Sequence, residues 1–150
     1  MKREEMQTWV DDMVQITLNA KEVEQSNRFW KEDMVWHGPA GLGVLTGIEE
    51  FKHKLLYPFF KAFPDYEAIN EIWVADEERD MLVAWGYFTG THQDLWAGVP
   101  ATGLPVKVGF MDIWQFGDGK LAENWVLVDV ADFLRQVGAV DIPETLADAI

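Results

Sequence analysis

The sequence predicts an α+β fold, and three observations carry that expectation. Apolar residues recur at three- and four-residue steps in the first part of the chain, and they alternate with polar ones over its second half. Turn signals punctuate that second half, the clearest being the Asp118-Gly119 pair between two alternating runs. Helices followed by long antiparallel strands describe a curved sheet that wraps a helical layer. With 150 residues, the chain is expected to form one domain over residues 1–150, large enough to bury a sizeable core.

From Arg3 to about Ala20, the residues Met6, Trp9, Val10, Met13, Val14, Thr17 and Leu18 form one stripe with acids between them, the pattern of an amphipathic helix. Lys21 to about Phe29 reads as a second, short helix. A short strand, Met34-Val-Trp36, follows and is stopped by His37-Gly-Pro39. Gly41, Gly43 and Gly47 make the next stretch a loop. Phe51, Leu55, Leu56, Phe59 and Phe60 then line a helix that Pro58 kinks or restarts and that Phe63-Pro64-Asp65 ends. Strands are expected at about 66–75, 81–91, 105–116 and 120–130. A Gly- and Pro-rich excursion from Gln93 to Pro105 interrupts them, and Gly138 to Ile150 reads as a loosely held tail.

A net charge of −14 disfavours nucleic acid and anionic lipid as partners. No stretch approaches the roughly 20 apolar residues needed to cross a bilayer. The acidic start Met-Lys-Arg-Glu-Glu-Met lacks a signal-peptide run, so a cytoplasmic location is expected. Cysteine is absent, which excludes disulfides and thiolate chemistry. No His-x-His or His-x-x-x-His spacing occurs, Gly41-Leu-Gly43 does not complete a nucleotide-binding motif because residue 46 is Thr, and the only serine, Ser26, lies in a helix. A metal site, a nucleotide site and a serine hydrolase are therefore not expected. Eight Trp, nine Phe and three Tyr exceed what such a core needs, which points to an aromatic-lined cavity or a subunit interface.

The chemistry concentrates in the last hairpin, where acids sit among apolar neighbours. A carboxylate in such company is costly unless paired or protonated, and that cost raises the pKa of general bases. With Asp118 and Gly119 at the turn and no bulge, Trp114 faces Glu123, Asp112 faces Trp125 and Phe110 faces Leu127. Phe110, Asp112, Trp114, Glu123, Trp125, Leu127 and Asp129 then line the concave face. Met111, Ile113, Val126, Val128 and Val130 form an apolar outer face, expected to meet a second copy in a homodimer. A one-residue bulge would alter this assignment. Asp112 and Glu123 become diagonal neighbours, while Asp129 lies opposite Val108, about 13 Å along the strand from Asp112. Two acid/base centres follow, Asp129 and the Asp112/Glu123 pair.

Each candidate has a competing structural role. Asp129 precedes Val130-Ala-Asp-Phe-Leu134, where an Asp also serves as a helix N-cap. His92, after Gly90-Thr91, is a candidate catalytic donor or a histidine that merely satisfies its surroundings. His37, before Gly-Pro near the expected pocket mouth, is a candidate for substrate binding, whereas His53 in Lys52-His-Lys54 reads as surface. Trp36, Trp73, Trp85, Trp96 and Trp114 are individually core-like and collectively suit an apolar, planar small molecule.

Taken in order, His37-Gly-Pro39, Gly47-Ile-Glu-Glu-Phe51, Phe63-Pro64-Asp65, Gly90-Thr-His92, Gly98-Val-Pro-Ala-Thr-Gly103, Asp118-Gly-Lys120 and Glu123-Asn-Trp125 with Asp129 resemble the SnoaL-like polyketide cyclases of the NTF2-like superfamily, over about residues 8 to 138. The resemblance implies a cone: a curved antiparallel sheet wrapped around N-terminal helices, with an internal pocket. It implies a cofactor-free enzyme in which a carboxylate takes a proton from an activated carbon and an intramolecular aldol addition closes a ring. By position it favours Asp129 as that acid/base. Such cyclases also use a histidine on the preceding strand, and Val106 to Phe116 contains none. The superfamily also hosts isomerases, hydrolases and non-catalytic binding or dimerisation proteins, and these stand as the alternatives. Its epoxide hydrolases use an Asp-Arg-Asp cluster, whereas Arg3, Arg28, Arg79 and Arg135 lie outside the expected core strands.

Overall fold

In the computed structural model, which describes residues 1–143, helix α1 (Arg3–Met13) leads into π-type turns over Val14–Asn19. Its predicted stripe is the buried one, with Met6, Val10, Met13 and Val14 all inside the core. A 3₁₀ turn (Val23–Gln25) and the one-turn helix α2 (Ser26–Phe29) follow, then strand β1 (Trp30–His37) and strand β2 (Val44–Thr46). Helix α3 (Ile48–Phe51) continues through π-type turns over Lys52–Leu56 into α4 (Tyr57–Ala62). Pro58 sits in the first turn of α4, directly after the π-type turns, and removes one donor from the continuous helical run. The remaining strands are β3 (Glu67–Asp76), β4 (Met81–Thr91), β5 (Pro105–Gly117) and β6 (Lys120–Val128), and helix α5 (Val130–Gln136) closes the fold. Of the expected tail, residues from 144 onward lie outside the described residues.

The six strands form one sheet in the order β2-β1-β6-β5-β4-β3, antiparallel except for the parallel β1/β6 pair. This is the curved sheet with N-terminal helices that the sequence predicts. Two local expectations change. β1 starts at Trp30 and not Met34, and β2 forms where a loop was expected. Gly41 and Gly43, at φ +77° and +83°, turn the chain back so that Val44–Thr46 pairs with Val35–His37. Three residues are too few to show a period of two. The end of the first helix is fastened to β3 by Asn19, whose side chain donates to Ala68 O at 3.1 Å and accepts from Ala68 N at 2.8 Å.

The β5/β6 hairpin turns at Asp118 and Gly119 as expected, with Gly117 opposite Lys120 and both turn residues at positive φ. The register beyond it differs from the expectation. Phe116 pairs with Leu121 but Gln115 pairs with Glu123, so Ala122 is the extra residue of a β-bulge. From there on, Trp114 faces Asn124, Asp112 faces Val126, Met111 faces Leu127 and Phe110 faces Val128. Glu123, Trp125 and Leu127 thereby leave the concave face, and Val126 and Val128 enter it. Asp129 is level with Gly109, to whose carbonyl its N–H donates at 2.9 Å, and not with Val108.

A second irregularity lies between β3 and β4, where the register shifts between Asn70 and Ile72. Gly86 faces it, and a Cβ there would sit 2.0 Å from the Ile69 carbonyl oxygen. The obstacle is backbone and cannot rotate away. Gly86→Ala is expected to destabilise the fold by about 1–3 kcal/mol, read as a lowered midpoint in urea unfolding. Gly119→Ala, where nothing lies near the added carbon, is expected to lose less, through backbone conformation alone.

Candidate active site

The inner face of the sheet and the helical layer line a cavity of about 120 Å³, with Pro39 and Leu42 among its lining residues. Its wall is built from aligned rows. Trp36, Asn124, Trp114 and Leu82 form one row across the sheet, and Val126, Asp112, Ala84 and Trp73 form the next. Phe51, Leu55, Leu56, Phe59 and Phe60 from the helical segment close the opposite side. Trp30, the first residue of β1, also lines the cavity.

Asp112 is the carboxylate of this cavity. It lines the cavity at intermediate exposure, with Ala84 and Val126 as its cross-strand neighbours. Its described hydrogen-bond partner is Asn124, whose Nδ2 donates to Asp112 Oδ1 at 2.9 Å and to the Ile113 carbonyl at 3.1 Å. Burial drives the Asp112 pKa up to about 7, and the Asn124 hydrogen bond opposes but does not cancel it. Burial also raises the pKa of the Tyr66 phenol, a cavity-lining group, and the Asp112 charge adds to the effect. A proton acceptor that titrates near neutrality in an apolar space, beside a phenol held protonated, suits proton transfer at carbon.

The other candidates lie elsewhere. Asp129 is the N-cap of α5, its Oδ1 accepting from Asp132 N at 2.9 Å, and it does not line the cavity. Glu123 is on the outer face, where its Oε1 meets His37 Nε2 at 2.7 Å. The His37 ring stacks on Trp125 at 5.2 Å and 2°. These three residues make an outer cluster because the Ala122 bulge reverses their parity, so the expected Asp112/Glu123 pair does not form. Trp85 is likewise outside and 43% exposed, between Ile72 and Met111. Phe110, Trp36, Trp114 and Trp96 do line the cavity, and Trp73 stacks behind Trp114 at 6.3 Å.

His92 is fully buried but stands behind the wall. Its Nδ1 lies 3.0 Å from Thr102 Oγ1, and its ring meets Phe63 at 5.7 Å and Phe133 at 5.1 Å. Phe133 in turn holds Trp96, at 4.5 Å and 82°, against the cavity. Sequence reading missed Asn124 and Tyr66. Asn124 lies within the Glu123-Asn-Trp125 motif, but the unbulged register turned it outward; Tyr66, directly after Phe-Pro-Asp, carried a signal only in its position. Among the described residues, no three potential metal ligands converge, and no helix is long and apolar enough to cross a membrane.

The raised Asp112 pKa makes a stability statement. The folded state holds this proton more tightly than the unfolded chain does, so rising pH erodes stability between the ordinary carboxylate value of 3.8 and about 7. Asp112→Asn keeps an acceptor for Asn124 and removes that ionisation. The variant is expected to match the parent near pH 4 and to exceed its stability by roughly 1–3 kcal/mol at pH 8, measured by urea unfolding across that range. A difference independent of pH would contradict the assignment.

A model of the SnoaL-like polyketide cyclase family matches residues 5–137. No curated protein sequence matches the chain. Among solved structures, TsrD from Streptomyces laurentii aligns with a TM-score of 0.81 at 24% identity, covering 93% of this chain and 99% of its own. AclR from Streptomyces galilaeus, assigned as a hydroxylase, gives 0.81 at 25% identity, covering 99% and 90%. A protein of Jannaschia sp. CCS1 assigned as a SnoaL-like polyketide cyclase gives 0.81 at 18% identity, covering 92% and 94%. Match and fold agree, and the chain belongs to the SnoaL-like polyketide cyclase family.

Proposed function

We propose that this protein is a cofactor-free polyketide cyclase acting on an apolar aromatic small molecule, with Asp112 as its acid/base. The observation that carries the reading is a cavity-facing carboxyl with one amide partner and a pKa near 7 in an otherwise apolar wall. The Asp112 carboxylate takes a proton from a carbon next to a carbonyl, and the C–H electron pair becomes an enolate. That carbon then bonds to a second carbonyl carbon of the same molecule, and the resulting alkoxide recovers the proton from Asp112. Electrons and protons balance without a redox partner. Asp112 is preferred to Asp129 because Asp129 is engaged in capping α5.

The apolar wall supports an aromatic ligand, with Trp36, Trp96 and Trp114 offering ring faces. Proton abstraction is measurable without the natural substrate, as protein-dependent exchange of the methylene protons of phenylacetone in D₂O, followed by NMR. The rate is expected to rise with pH about a midpoint near 7, the Asp112 value. Asp112→Asn is expected to lose on the order of 10²–10⁴-fold, and Asp129→Asn to keep the rate of the parent. Equal rates in Asp112→Asn and the parent would overturn the reading.

The partner reading is a homodimer through the outer face of the sheet. Ile72, Trp85, Met111 and Leu127 form a row across β3, β4, β5 and β6, at 56%, 43%, 38% and 66% exposure. Such a contiguous apolar row is costly in water and suits a two-fold, self-complementary contact. Leu127→Lys combined with Ile72→Lys is expected to yield a monomer in sedimentation equilibrium where the parent is a dimer. A monomeric parent at micromolar concentration would refute the dimer.

A further inference from the structure

Tyr66 is the feature of the cavity that proton abstraction by Asp112 does not use. The residue is 8% exposed and lines the cavity with Asp112, between β3 and the α4 segment. Its ring is held by Phe59 at 5.1 Å, Phe60 at 5.8 Å and Phe88 at 5.2 Å. Three aromatic contacts fix the ring, so the hydroxyl has a defined position. No described residue hydrogen-bonds that hydroxyl, although buried hydroxyls are as a rule satisfied. It is also not closed off among the sealed polar atoms of the core, which include Thr17 Oγ1, Ser26 Oγ and Trp30 Nε1. A fixed, unpartnered donor at the surface of an apolar cavity lacks an acceptor, and a ligand oxygen would supply one.

We propose that the Tyr66 hydroxyl is a catalytic hydrogen-bond donor to the substrate carbonyl oxygen, and that the inner cavity admits one aromatic ring carrying that oxygen. This rests on the reading of Asp112 as the base. As the α C–H bond breaks, its proton goes to the Asp112 carboxylate, its electron pair forms the carbon–carbon double bond, and the carbonyl π pair moves onto oxygen to give the enolate. The Tyr66 O–H donates to that oxygen without transferring its proton. A phenol suits the task because burial keeps it protonated throughout the neutral range, so the donor is always armed. Ring size follows from volume: at about 120 Å³ the cavity is close to the about 150 Å³ space known to hold benzene. The rest of a larger substrate would extend beyond this one-ring space.

The test is binding, so it does not depend on turnover. 4-Nitrophenol carries the oxygen of an enol on a single ring, and nitrobenzene is the same ring without it. Affinity for both is read at pH 6 by quenching of tryptophan fluorescence in the parent and Tyr66→Phe. The parent is expected to prefer 4-nitrophenol. Tyr66→Phe is expected to lose on the order of tenfold of that preference and to keep its nitrobenzene affinity within about twofold, since the ring packing is retained. A preference that survives in Tyr66→Phe overturns the donor role. Equal loss for both compounds overturns it too, by assigning Tyr66 to packing alone. No binding of either compound by the parent overturns the one-ring cavity. In the exchange reaction, Tyr66→Phe is expected to lower the plateau rate on the order of 10²-fold while the pH midpoint stays near 7. Failure of the Asp112 reading is separately visible, as exchange that Asp112→Asn does not impair.

Discussion

Ala122 has no residue of its own to face on β5, and the arrangement of the cavity wall depends on that fact. Side chains of a strand alternate between faces, so one inserted residue exchanges the faces of everything beyond it. Without the bulge, the wall beside Asp112 would carry Glu123 and Trp125. With it, the wall carries Asn124 and Val126, and the second acid leaves for the outer face. The bulge therefore separates two electrostatic environments: one isolated carboxyl inside, and a His37–Glu123 pair stacked on Trp125 outside.

That separation explains why Asp112 titrates where it does. A cation beside it would draw the pKa down, and a second carboxylate would drive it higher. Neither is present among the residues lining the cavity. A single amide from Asn124 donates to one oxygen, and the apolar rings supply the desolvation. Every tenfold gain in proton affinity on folding corresponds to about 1.4 kcal/mol of free energy. Burial outweighs one hydrogen bond, and the balance leaves the group near neutrality, where a general base combines strong proton affinity with a substantial ionised fraction. Stability at neutral pH is reduced by the same quantity that makes the group reactive.

Aromatic residues act in two layers around this site. Trp36, Phe59, Trp96 and Trp114 bound the cavity, while Phe63, His92 and Phe133 stand behind Trp96 and fix its orientation. His92 belongs to the second layer, joined to Thr102 and, through its backbone, to Leu104 and Gly103, which tethers the loop that carries Trp96. Helix α5 adds Phe133 to this layer, and Asp129 starts that helix. Two residues that resemble catalytic groups in the sequence thus hold the wall in which Asp112 is set.

The long strands, the Asp118-Gly119 turn, the buried stripe of the first helix and the family resemblance were legible in the chain, because these are local periodicities and ordered short motifs. It marked Asp112, Phe110, Trp36 and Trp114 for the cavity, and an apolar outer face for the sheet. It did not determine which residues of β6 share a face with Asp112, since Ala122 looks like any strand residue and a bulge is a property of two strands at once. Nor did it show β2, which exists only because glycine turns bring three residues back to β1, or that Tyr66 lines the cavity without a described partner for its hydroxyl. Pairing, parity and the absence of a partner are relations between distant parts of the chain, and they are fixed only when those parts pack together.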